Sequence, residues 1–167
     1  MKKNALVYFC FLLMLLRVSV AGAACPAGDP SCSGIEAEPM FFGQIVITDN
    51  SAVRSCTIPA GGTMTCDSQI TILTPGQYGV FQLAGYAGTA IWASVDDTST
   101  TMTDPSGLTT FDVKNFTFAP DIHNIGLEET PPGGTLLLKI GATLQTRAGQ
   151  TYDIAPYHGT FSLQINY

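Results

Sequence analysis

The sequence predicts an all-β domain, a two-sheet sandwich of about seven to nine short strands. Three observations carry that expectation. From Phe41 onward, short runs rich in β-branched and aromatic residues alternate with clusters of Gly, Pro, Asp and Asn, the pattern of strands and turns. Beyond the N-terminal apolar run, no stretch combines helical period with capping residues. The chain also holds 17 Gly and 10 Pro, residues that interrupt helices.

The first element is a leader. Lys2 and Lys3 precede an unbroken apolar run from Ala5 to Leu16, and Arg17 is followed by VSVAGAA, which ends in small residues. That order is the pattern of a secretory signal peptide, with cleavage expected after Ala23 or one residue later. As a membrane anchor the run is too short, since a helix needs roughly 20 apolar residues to cross a bilayer. Cys25 lies close behind the cleavage site, but Gly22 stands where a lipobox requires a large aliphatic residue, so lipidation is the weaker reading.

Removing residues 1–23 leaves 167 − 23 = 144 residues, enough for one domain with one core. Lys2, Lys3 and Arg17 leave with the leader, so four basic residues (Arg54, Lys114, Lys139, Arg147) face 13 acidic ones, a net charge of 4 − 13 = −9. A chain this acidic is no partner for nucleic acid or for an anionic membrane surface. Cys10 leaves as well. Cys25, Cys32, Cys56 and Cys66 remain, an even number in an oxidising compartment, which reads as disulfides. Three pairings are possible. Proximity favours Cys25–Cys32 and Cys56–Cys66, the second across a Pro-Ala-Gly-Gly turn. A four-Cys metal site lacks CxxC spacing and a nearby His.

Residues 24–40 are rich in Pro, Gly, Ala and acid without period, and read as an extended arm. The sandwich domain is expected over 41–167. Candidate strands run over 41–48, 53–58, 63–67, 69–73, 78–85, 89–95, 108–118, 135–146 and 159–167. Gly85-Tyr86-Ala87-Gly88 reads as a tight hairpin and Asp104-Pro105-Ser106-Gly107 as a strong turn. Gly141, inside a long strand, suggests a bulge or a break. TLLLKI (135–140) reads as apolar on both faces, which suits a strand inside a sandwich and argues against an outer-membrane barrel. Trp92, beside Ile91 and Val95, reads as a core side chain. Asp96-Asp97 reads as a solvated turn, lacking the spaced ligands of a calcium loop.

Catalytic patterns are missing. His123 and His158 are potential bases, but neither lies in a GxSxG or HExxH frame. Ala60-Gly61-Gly62 and Pro132-Gly133-Gly134 are turns, without the helix and Lys of a phosphate loop. Asn115-Phe116-Thr117 fits a glycosylation sequon, an accidental match in a bacterial-type export substrate. No enzyme and no cofactor is expected. The most informative segment is the end, GTFSLQINY, in which Phe161, Leu163, Ile165 and Tyr167 share one face.

Several segments in order, GQIVIT after a Phe, VFQLAGYAGTAIWASV, TTFDVKNFTF and TLLLKIGATLQTRAGQTYDIAPYHGTFSLQINY, resemble the bacterial domain-of-unknown-function 4402 family over residues 41–167. The closing set here is Gln150, Tyr157, Gly159, Phe161, Leu163, Ile165 and Tyr167. It also resembles the end of spore-coat-U-like and chaperone–usher pilin subunits. The resemblance implies an immunoglobulin-like sandwich in the periplasm, at the cell surface or outside the cell. It implies a fimbrial building block or adhesin assembling by β-strand complementation, with Tyr157, Gly159, Phe161, Leu163, Ile165 and Tyr167 as the assembly strand. A periplasmic chaperone and like subunits would be its partners, giving a homo-oligomer or fibre. The arm offers only Ile35, Ala37 and Met40 as apolar positions, which motivates a second expectation: a self-contained periplasmic or secreted binding module.

Overall fold

The computed structural model describes residues 17–20, 33–84, 90–95, 99–120, 128–129 and 135–166, and these form strands and turns without a helix. The strands are β1 (Arg17–Val20), β2 (Ser33–Glu38), β3 (Gln44–Ile47), β4 (Ser55–Ile58), β5 (Thr65–Cys66), β6 (Ile70–Thr74) and β7 (Gly79–Ala84). After them come β8 (Ala90–Val95), β9 (Ser99–Thr103), β10 (Thr110–Ala119), β11 (Glu128–Glu129), β12 (Thr135–Gln145), β13 (His158–Gly159) and β14 (Ser162–Asn166). The larger sheet runs β13-β9-β10-β12-β4-β5, with β7 also on β12 and β2 on β7. A second sheet runs β1-β14-β8-β11, and β3 and β6 form a two-stranded ribbon. Side chains from all three enter one hydrophobic cluster, among them Ile45, Ile58, Phe81, Ala93, Phe111, Leu138 and Leu163. The expected all-β sandwich is therefore the fold, and its pairings are antiparallel except β1 with β14.

Strand β12 is the organising element. It keeps β10 along one side from Lys139 to Gln145. On the other side it pairs with β7 over Thr135–Ile140 and then with β4 over Ala142–Gln145. Gly141 stands at the change of partner. A Cβ there would meet the Ile58 carbonyl and lie 2.5 Å from the Ala60 nitrogen, both backbone atoms. Only a residue without a side chain lets β4 leave the sheet at this point while β12 runs on. The irregularity expected at Gly141 lies on the partner strand: β10 carries one extra residue between Lys114 and Thr117, opposite Gly141 and Thr143. Asn115 sits in that bulge at φ 53°, in the left-handed region that Asn tolerates better than most residues. This gives the Asn of the sequon-like triplet a backbone reason.

Three expectations change. TLLLKI is not buried on both faces: Leu136, Leu138 and Ile140 point into the core, while Leu137 is 55% exposed opposite Gln82. Over Leu136–Ile140 the strand alternates as an ordinary half-buried strand does, and three consecutive Leu hide that alternation. The sandwich rests instead on the shared core between sheets that have ends. Second, the sequence sets 24–40 apart as an arm, yet Ser33–Glu38 pairs antiparallel with β7 and belongs to the large sheet. Its Gly and Glu content masks a strand held by backbone pairing. Third, β9 was not expected. Its sequence STTMT buries only Met102 and shows no apolar alternation, but it pairs with β10 over all five residues. With these strands and several two-residue pieces, the described elements exceed the expected number.

Cys56 and Cys66 are bonded across the β4–β5 hairpin, as proximity favoured, and are direct register partners. Cys25 and Cys32 lie outside the described residues, as do Asp96-Asp97, His123 and the side chain of Trp92.

The close approach at Gly141 yields a direct expectation. Gly141→Ala should lower the unfolding free energy by about 2 kcal/mol or more, because the methyl group meets backbone on β4 that cannot rotate away. Denaturant unfolding measures it, and a variant within about 0.5 kcal/mol of the parent would contradict the packing described.

Candidate functional site

The segment expected to carry function, the closing stretch, passes from one sheet to the other. Arg147, Tyr152 and Tyr157 reach β10, β13 joins the edge of β9, and β14 enters the second sheet. Two tyrosines anchor the approach. Tyr152 is 1% exposed and stacks on Phe111 with ring centroids 4.2 Å apart. Its hydroxyl donates to the Thr110 carbonyl at 3.0 Å and accepts from the Arg147 amide at 2.7 Å. Tyr157, equally buried, meets Phe111 edge-on at 4.8 Å. Its hydroxyl bonds to the Thr109 hydroxyl at 2.8 Å. Each ring buries a large apolar area while its polar tip is satisfied, the condition for a core tyrosine. Burial raises the Tyr152 phenol to about 12.

Opposite these rings is the turn at Asp104. The Asp104 carboxylate accepts from the Ser106 hydroxyl and from the Thr109 amide, the latter at 3.0 Å. Those hydrogen bonds, the Ser106 hydroxyl first, hold its pKa down at about 2. The Asp-Pro-Ser-Gly turn is thus fixed by its own side chains, and Thr109 passes that rigidity to Tyr157. Arg147 pairs with Asp112 at 2.7 Å on the same side, at the surface, where such pairs contribute little.

The passage between sheets has its own constraint. A Cβ on Gly159 would lie 2.6 Å from the Thr101 carbonyl and 2.8 Å from Met102 Cγ. Glycine lets β13 lie flush on β9, after which Phe161 and Leu163 turn into the core at 4% and 0% exposure. Phe161 packs on Phe116 at 4.9 Å. The single strand expected over 159–167 is therefore two: Gly159 belongs to β13 in the larger sheet and Leu163 to β14 in the second, with Tyr157 before β13 and Phe161 between them. Ile165 has its backbone in β14, its side chain outside the described set, and Tyr167 lies outside the described residues.

Strand β14 has two neighbours of different origin. On one side Leu163, Gln164, Ile165 and Asn166 pair with Val95, Ser94, Ala93 and Trp92 of β8. On the other, Ser162, Leu163, Gln164 and Ile165 run parallel to Arg17, Val18, Ser19 and Val20 of β1. Across the three strands the rows match: Val18–Leu163–Val95 and Val20–Ile165–Ala93 are apolar, and Ser19–Gln164–Ser94 is polar. Leu163 and Ala93 are fully buried.

Sequence reasoning missed Tyr152, which sits in the apparently irregular TYDIAP stretch; an aromatic between Thr and Asp gave no periodic signal. His158 lies on β13 with its backbone opposite Thr103. Among the described residues no group of three His, Cys, Asp or Glu is placed to hold a metal ion, and no helix is long and apolar enough to cross a membrane. The family described as "Domain of unknown function (DUF4402)" matches residues 34–167. No curated protein and no solved structure matches the chain.

The Asp104 turn generates a pH dependence. A carboxylate whose pKa is lowered on folding stabilises the fold above its ordinary value of 3.8, and that contribution is lost as pH falls through about 2. Asp104→Asn should therefore melt below the parent at pH 6, with the gap narrowing between about pH 4 and pH 2. Thermal melts across that range measure it; a gap of constant size would contradict the assignment.

Proposed function

The chain belongs to the DUF4402 family, and from that premise we propose that it is an exported structural protein, a pilin-like or adhesin-type sandwich that assembles by β-strand addition. The observation that supports this reading is the sidedness of β14. Among the described residues of the family domain, 34–167, its backbone partner is β8, on one side. Its other side pairs with Arg17–Val20, which lie outside that domain and within the leader. A sheet whose edge takes a strand from beyond the domain has the geometry that strand addition uses.

On this reading the leader directs export to the periplasm, the cell surface or the medium, and residues 1–23 are removed. The mature chain then presents the β14 edge to a periplasmic chaperone or to a like subunit. Its net charge of 4 − 13 = −9 favours neither nucleic acid nor anionic lipid as a partner. The role is mechanical and adhesive, without a cofactor.

One observation favours a second reading. Ser33–Glu38, which the sequence sets in the arm, pairs with β7 in the large sheet, and all of it but Ser33 lies within the family domain. A chain that uses its arm internally has less to donate to a neighbour, which suits a self-contained binding module.

Light scattering on residues 24–167, purified without a co-expressed chaperone, separates the two. The assembling protein should form strand-exchanged oligomers whose size rises with concentration. A stable monomer that melts cooperatively and takes up no strand would end the assembly reading and leave the binding module.

A further inference from the structure

We propose that Arg17–Val20 is a cover acting in cis on the β14 edge, and that removal of the leader opens that edge to a parallel strand of another molecule. The proposal rests on the strand-addition reading and specifies its partner and its control. The position of β1 at the end of its sheet is the first support. With β1 in place the order is β1-β14-β8-β11, and without it β14 becomes the outermost strand.

The second support is the register. Four consecutive residues of β1 lie beside four of β14, and the pairing aligns Val18 with Leu163 and Val20 with Ile165. A slip of one residue would set Arg17 and Ser19 in the apolar rows instead. The VSV sequence of the leader thus suits this edge in one register. A general apolar leader has no need of that alternation, since its task requires only continuous apolarity. The run from Ala5 to Leu16 meets that need by itself, and the alternation begins after it.

The occupant of the opened edge is thereby described chemically. It is an extended strand running parallel to β14, with apolar residues two apart in step with Leu163 and Ile165 and small or polar residues between them. Main-chain hydrogen bonds supply its affinity, and the apolar row supplies its register. While residues 17–20 remain attached they compete at high effective concentration, so a strand in trans is excluded. Leader removal turns a self-capped chain into one ready to assemble.

The test uses three chains and one probe. The chains are residues 16–167, which keep the cover without the apolar run; residues 24–167, which lack it; and residues 16–167 carrying Val18→Asp and Val20→Asp. The probe is a fluorescein-labelled peptide of residues 15–22, followed by anisotropy at protein concentrations below self-association. The expected result is binding to 24–167 and to the double-Asp chain at least tenfold tighter than to 16–167. The same peptide with both Val changed to Asp should bind none of the three.

Equal binding to 16–167 and 24–167 would overturn the cover while leaving the acceptor edge standing. Folded 24–167 that binds no peptide would overturn the acceptor edge, and with it the reading on which this proposal rests. If 24–167 does not fold alone, a cooperative melt restored by the peptide supports the proposal, and failure of the peptide to restore one overturns it.

Discussion

The fold depends on one close approach, that of β4 to β12 at Gly141. β12 exchanges β7 for β4 at that residue without leaving the sheet, because no side chain separates the two backbones. The other side of β12 is thereby free to hold β10 from Lys139 to Gln145, with a bulge at Asn115 absorbing the mismatch. β10 in turn holds β9, β9 holds β13, and Gly159 lets the chain pass from there into the second sheet. The position of β14, and so of the edge proposed for assembly, is the last step of that sequence of contacts.

The side chains reinforce the same path. Phe111 of β10 receives Tyr152 and Tyr157 from the closing segment, and Thr109 links Tyr157 to the Asp104 turn. Fully burying an aromatic or aliphatic side chain contributes about 1.5–3 kcal/mol. Tyr152, Tyr157, Phe161 and Leu163 together therefore hold the last stretch of chain far more firmly than its two-residue strand β13 would alone. A rigid approach matters for the proposed role, since an added strand is useful only if the strand it joins stays in place.

Much of this was legible in the sequence, and the failures have physical causes. The all-β class, the Cys56–Cys66 bridge and the inward face of Phe161 and Leu163 follow from local pattern: β-branched runs, a turn between two Cys, and strict alternation. β9 escaped because Thr and Ser make strands by backbone pairing with little apolar signature, and Met102 alone marks its inner face. Leu137 misled because three successive Leu look two-sided, although the pleat turns the middle one outward. β2 was hidden by Gly34, Glu36 and Glu38, a composition that reads as irregular. Tyr152 gave no signal because its role depends on Phe111, distant in sequence. The pairing of Arg17–Val20 with β14 joins opposite ends of the chain and had no local mark beyond the alternation of VSV.

The central claim is that β14 is sealed by its own chain while residues 17–20 are present and open once they are gone. Amide hydrogen exchange at Ser162–Asn166, compared between residues 16–167 and residues 24–167 as monomers, tests it most directly. The account predicts that alternate amides of β14, those turned away from β8, exchange slowly in the longer chain and rapidly in the shorter, while those bonded to β8 stay protected in both. Equal protection of every β14 amide in the two chains would contradict it.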